Sequence, residues 1–245
     1  MNKEVEGIII REKDYGDTSK ILDIFTKEYG IVGVIAKGCK QIKSPLRSVS
    51  SNFLYGIFNI YYKENKLSTL KEVDIINNFK NIKMNIENIA YATFLLDLSE
   101  QVYKQNDNAE IYNLLINALI KINNQFDPLV LTNMVELKYL EYLGVMPELN
   151  RCSVCGNTNI ATLSSDKGGY ICSNCRTFEP ILDSKTIKLI RMFYYVDIAK
   201  IDKLNISDKI KKEINTFLDN YYERYTGLYL KSKKFLNNLK ILDCQ

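Results

Sequence analysis

Four of the six cysteines fall into two pairs, Cys152-x2-Cys155 and Cys172-x2-Cys175, with sixteen residues between them. Zinc takes four soft ligands in a tetrahedron, and two residues between cysteines let one tight turn aim both sulfurs at a single point. The spacing therefore predicts a four-cysteine structural zinc site that holds the shape of residues 150–180. Gly156, Gly168 and Gly169 supply the backbone freedom such turns need, and Arg151, Lys167 and Arg176 are placed to offset part of the negative charge of four thiolates. Two other readings stand beside this one, a redox-active pair and cysteines that bind nothing. A redox CxxC usually occurs alone on a βαβ unit, and no such unit surrounds either pair. Four cysteines would also close the shell against water, which disfavours a catalytic ion.

Histidine is absent from all 245 residues, which removes the commonest general base and the commonest nitrogen ligand together. Any metal must then use cysteine or carboxylate. The remaining cysteines, Cys39 and Cys244, stand alone. With 46% hydrophobic and 25% charged residues the chain reads as an ordinary globular protein of one large or two small domains. No apolar run approaches the roughly 18 residues of a membrane span, and no basic segment followed by an apolar stretch opens the chain, so a cytoplasmic location is expected.

The net charge of +4 is small, but its distribution is uneven. Residues 29–63 hold Lys37, Lys40, Lys43, Arg47 and Lys63 with no acid, and residues 224–241 hold Arg224, Lys231, Lys233, Lys234 and Lys240 with none. Between them, residues 84–150 carry nine acids against three lysines. A basic head and a basic tail thus flank an acidic middle.

Residues 1–78 read as strands, with β-branched and aromatic runs at Ile8 to Ile10, Ile21 to Phe25, Ile31 to Ala36, Phe53 to Tyr62 and Leu67 to Ile76. Five short strands suggest a small barrel, compatible with an OB-fold or an SH3-like barrel. From about residue 81 the apolar period becomes helical, through Tyr91, Leu95, Leu98 and Val102, then Ile111 to Ile122. Asp127-Pro128 predicts a capped helix start, with Gly144 and Pro147 at its close. Further helices are expected from Asp183 or Ser184 and after Ser207, the latter ending near Gly227. The fold class is thus α+β: a barrel over 1–80, then a helical domain over 81–245 interrupted by the zinc-binding insertion at 150–180.

The segment Ala36 to Arg47 places Lys37, Lys40, Lys43 and Arg47 in one barrel loop. Phosphates are the natural partner of such a loop, since each one neutralised releases counterions, and nearby aromatics can add base stacking. Phe53, Tyr55, Phe58, Tyr61 and Tyr62 are the stacking candidates; the plainer reading makes the lysines a solvated face and the aromatics barrel core. Lys231, Lys233 and Lys234 in the tail are weaker candidates for the same role. Neither a Gly-x-x-x-x-Gly-Lys-Ser/Thr motif nor a plausible acid–base pair occurs, so no nucleotide hydrolysis is expected; the chain is read as a non-enzyme with no small-molecule substrate. The residues alone leave open a DNA-binding protein, a protein-only adaptor whose basic loop receives an acidic segment, and a metal-dependent nuclease.

Gly7 to Arg11, Asp14 to Leu22, Phe25 to Gly30, Ala36-Lys37-Gly38 with its basic loop, Glu136-Leu137 through Gly144, Pro147-Glu148-Leu149, the paired cysteines and Leu230 to Leu236 occur together in an order that resembles the RecO family. Departures are Cys39, where members often have alanine, and Ser50-Ser51-Asn52-Phe53 in place of leucine-glutamine-proline-phenylalanine. The resemblance implies an N-terminal OB-fold, a helical domain and a zinc-binding insertion. It also implies a recombination mediator that binds single- and double-stranded DNA, anneals complementary strands and acts with RecR to help RecA displace single-strand-binding protein, at the nucleoid. On that resemblance Lys37, Lys40, Lys43 and Arg47 bind DNA, with Arg11 and Lys20 as further candidates.

Overall fold

In the computed structural model, which describes residues 1–242, the chain divides into two compact units, 1–123 and 124–245. The lone Cys244 lies outside the described residues.

The first unit opens with β1 (Asn2–Tyr15), β2 (Ser19–Thr26), β3 (Gly30–Ala36), β4 (Tyr55–Tyr61) and β5 (Ser68–Asn77), joined as a closed barrel in the order β1-β2-β3-β5-β4. The five runs expected from the sequence are all strands. Period-two alternation turns Val5, Ile9, Leu22, Ile24, Val32, Val34, Phe58, Ile60 and Leu70 into the barrel, where they are buried. Long β1 serves two neighbours: Asn2 to Ile8 pairs with β4, and Gly7 to Tyr15 pairs with β2 across an irregularity between Ile9 and Arg11. The sheet closes through a parallel contact of Val34 and Ile35 with Ser68 and Thr69, which gives the OB-fold topology rather than an SH3-like one.

The tight β2–β3 turn is locked by the Thr26 hydroxyl, which donates to the Gly30 carbonyl at 2.8 Å and accepts from the Tyr29 amide at 3.0 Å. Gly30 has φ 62°, and a Cβ there would lie 2.4 Å from the Tyr103 hydroxyl, so only glycine fits. After the barrel come a short turn of helix α1 (Lys80–Lys83), α2 (Ile86–Gln105) and α3 (Ala109–Asn123). Asn85 caps α2 by accepting from the Glu87 and Asn88 amides. Phe25 at the end of β2 meets Tyr103 of α2 and Tyr112 of α3 edge-on, with ring centroids 4.8 and 5.4 Å away, and so ties barrel to helices within this unit.

The second unit holds α4 (Pro128–Tyr142), the hairpin β6 (Ile160–Ser164) and β7 (Gly169–Cys172), α5 (Ser184–Tyr195), a short 3₁₀ turn at Ile198–Lys200, α6 (Asp208–Tyr225) and α7 (Lys231–Leu242). The capping expected at Asp127-Pro128 is present: the Asp127 carboxylate accepts from the Val130 amide at 3.1 Å, and Gly144 takes φ 71° beyond the far end. Asp183 caps α5 in the same manner. Ser207 begins α6 without a side-chain bond, so there the position was legible but not the device. No helix among the described residues is long and apolar enough to cross a membrane.

Candidate nucleic-acid interface and metal centre

The cysteine segment folds as two knuckles leaning on the β6–β7 hairpin. In the first, the Gly156 amide donates to the Cys152 carbonyl at 2.8 Å and the Cys152 amide to the Asn157 carbonyl at 2.7 Å. In the second, the amides of Cys175 and Arg176 both donate to the Cys172 carbonyl, at 3.2 and 3.1 Å. Gly156, Gly168 and Gly169 all take positive φ, at 75°, 77° and 139°. A Cβ at Gly169 would also sit 2.3 Å from the Glu148 carbonyl oxygen, where that backbone runs alongside. As a result the four sulfurs of Cys152, Cys155, Cys172 and Cys175 lie within 4.8 Å of one another, over an apolar floor of Ile171 and Ile160.

Such crowding sets the thiols against each other. Burial opposes ionisation of Cys152, yet hydrogen bonds from backbone groups of Cys172, Cys155 and Val154 outweigh it and bring that thiol down to about 6. Cys175 is pushed up to about 12, foremost by its hydrogen bond with Cys155 and then by burial. The first proton leaves easily and the last resists, so the cluster is suited to a cation that relieves the repulsion among thiolates. These four residues could hold a metal ion.

The cations expected to offset the sulfur charge have other partners. Arg151 pairs with Glu148 at 3.4 Å, and Arg176 donates to the Glu179 carbonyl at 3.0 Å. Lys167 pairs with Glu179 at 2.8 Å and donates to the Cys175 carbonyl at 2.9 Å, clasping the second knuckle to the hairpin. The Lys167 bond, with the Thr177 amide, holds the Glu179 carboxyl well below the usual carboxylate range.

On the first unit, the β3–β4 connection carries the expected cations. Successive turns run through it, the amides of Gln41, Ser44 and Arg47 donating to the carbonyls of Gly38, Gln41 and Ser44. Cys39, Val49 and Leu54 are buried in the barrel cluster, with Leu46 packed against it. The lone cysteine is thus one of several apolar anchors that pin the loop, while Lys40, Lys43 and Arg47 between them, and Lys37 just before them, are exposed. Lys40 bonds Asp14 at 2.9 Å; among the described residues no ion pair involves Lys37, Lys43 or Arg47.

The model of the recombination protein O N-terminal domain matches residues 1–79, and that of its C-terminal domain matches residues 84–234. The chain belongs to the RecO family. Among its relatives, the DNA repair protein RecO of Bacillus velezensis is 35% identical over 245 residues, covering 98% of this chain and 96% of the relative. The proteins of the same name from Bacillus subtilis and Listeria monocytogenes are each 34% identical, covering 98% and 97% of this chain and 96% and 94% of their own lengths.

Several side chains singled out within this RecO family chain sit differently from expectation. Arg11 is drawn to Glu100 at 2.5 Å and Asp23 at 3.4 Å, and Lys20 to Glu12 at 2.9 Å and the Ser50 carbonyl at 3.2 Å, so both brace the first unit. In the tail, Lys231 and Lys234 are exposed, and Lys234 lies over the Tyr229 ring at 4.7 Å. Lys233 instead points inward, 2.9 Å from Glu136 and 2.7 Å from Asp219, with 18% of its side chain exposed. It therefore leaves the set of candidate phosphate ligands. Of the stacking candidates, Phe53, Tyr55 and Phe58 are buried, and the Tyr55 hydroxyl donates to Glu6 at 2.6 Å. Tyr61, at an outward position of β4, is exposed; Tyr62 is half-buried with Lys3 4.4 Å from its ring centre. Lys13 is exposed on β1, and nothing in its sequence surroundings marks it out.

Proposed function

We propose that this protein is a DNA repair and recombination mediator without catalytic activity of its own. The barrel module, taken as residues 1–80, binds single- and double-stranded DNA through Lys37, Lys40, Lys43 and Arg47. The observation that carries this reading is the pinned loop: apolar anchors fix its backbone, so its exposed cations are presented without the ordering cost of a mobile segment. Neutralising phosphates on two strands lowers their repulsion and brings them close, which anneals complementary strands by proximity. Lys231 and Lys234 add a weaker contact in the tail. The residues 81–245 serve the protein partners, RecR and single-strand-binding protein, through which RecA is loaded onto coated DNA at the nucleoid in the cytoplasm. The names of the relatives support the DNA repair role.

The four-cysteine centre takes zinc as a structural ion. Four sulfurs leave no coordination position for a reacting water, so the ion braces the insertion.

Salt titration tests the DNA-binding reading. Affinity for a 30-base single strand is expected to fall steeply as salt rises, by about 0.7 log units per log unit of salt for each phosphate contacted. A flat response would move the function to a protein-only adaptor.

A further inference from the structure

Helix α5 contains no acidic residue, and its cations Lys185, Lys188 and Arg191 recur at every third position. In an α-helix that spacing sets them along one side over about 9 Å, and Met192 and Tyr195 fall in the same stripe. All five side chains are exposed, Tyr195 at 61%, while Thr186, Ile190 and Phe193 turn inward. The Arg191 guanidinium lies 5.7 Å from the centre of the Tyr195 ring, which keeps one cation and one open aromatic surface side by side.

Apart from the Arg191–Tyr195 contact, this row works against the helix's own stability. Like charges three residues apart repel, and Lys185 stands in the first turn, at the positive end of the helix dipole. Elsewhere in the second unit Lys167, Lys200, Lys209, Lys211, Arg224 and Lys233 each have a carboxylate partner, while Lys203, Lys212, Lys231 and Lys234 have no ion pair among the described residues and are not gathered in one row on a helix. Among the described residues no ion pair involves Lys185, Lys188 or Arg191. A polyanion would relieve the repulsion along the row, and the ring beside it suits nucleobases, each of which offers a flat face for stacking.

We infer that this face of α5 is a second contact for a single nucleic-acid strand, with Lys185, Lys188 and Arg191 on phosphates and Tyr195 beneath a base. The inference rests on the DNA-binding reading above and adds to it a site in the other unit. The full-length protein is titrated with salt on a 30-base oligothymidylate. The triple variant Lys185→Gln, Lys188→Gln, Arg191→Gln is expected to flatten the salt slope by about 2, at about 0.7 for each phosphate no longer neutralised. Tyr195→Leu is expected to weaken binding roughly tenfold, whereas Tyr195→Phe stays within about twofold of the parent, because stacking needs the ring and not the hydroxyl. An unchanged slope and affinity in the triple variant, with the parent binding normally, would overturn the α5 contact and leave the barrel reading intact. Loss of binding to a poly-glutamate peptide with the DNA slope unchanged would also overturn it, assigning the face to an acidic protein. If the parent itself ignores the oligonucleotide at low salt, the DNA-binding reading fails first.

Discussion

Replacing Lys233 with alanine is expected to destabilise the second unit by about 3–5 kcal/mol, the cost of stranding a buried charge whose partner has been removed. Glu136 is only 1% exposed and sits on α4, whose sides are buried nearly all round. Lys233 reaches it from α7 and also contacts Asp219 on α6, while the Tyr222 hydroxyl donates to the Glu136 carbonyl at 2.8 Å. The cluster thus fastens three helices around one charge. Burial works against the Lys233 ammonium, but Glu136 and Asp219 outweigh it and raise its pKa above the ordinary lysine value. A raised folded-state value contributes stability that is fully present below the unfolded pKa and lost only as pH climbs through the folded one. The stabilisation is therefore flat across neutral pH and fades in strong alkali. Urea denaturation at pH 7 measures the loss, and the double variant Glu136→Gln with Lys233→Met should recover most of it. A single variant as stable as the parent would show the pair to be dispensable.

Substituting Cys155 with serine, or stripping the metal with a strong chelator, is expected to unfold residues 150–180 and leave the barrel unit intact. Zinc bound by small cysteine sites supplies on the order of 10 kcal/mol of folding free energy at pH 7. The hairpin beneath it has strands of five and four residues and little apolar floor, so it cannot make up such a loss. The parent should carry about one zinc per chain with four protected thiols. Because the ion competes with protons, affinity should rise with pH. It should fall as the medium is acidified and the thiolates regain their protons. Metal analysis, thiol titration and limited proteolysis check this together. No metal in the parent, with all four thiols freely reactive, would remove the structural-zinc reading.

What the sequence disclosed was what short-range chemistry decides. Runs of β-branched and aromatic residues placed the five strands, the Asp127-Pro128 pair and Asp183 announced their helices, and the CxxC spacing brought together the sulfurs it was expected to. What it hid depended on partners distant in the chain. Lys231, Lys233 and Lys234 look alike in the sequence, yet Lys233 alone is claimed by Glu136, 97 residues away. Phe53, Tyr55 and Phe58 read as possible stacking platforms beside the plainer reading of barrel core, and all three are buried, Phe58 within the barrel itself. Nothing next to Cys39 in the sequence marks it as one of the apolar anchors of the loop. The α5 row lies in a helix without acids, but the sequence alone does not show that Thr186, Ile190 and Phe193 take the inward side and leave Lys185, Lys188 and Arg191 exposed.

The most direct test of the central claim, that a pinned cationic loop on the barrel grips the nucleic-acid backbone, is the salt slope of single-strand binding when Lys37, Lys40, Lys43 and Arg47 are all changed to glutamine. The slope is expected to fall by about 3, with the fold of the barrel unit retained. A slope and affinity equal to those of the parent would contradict the claim.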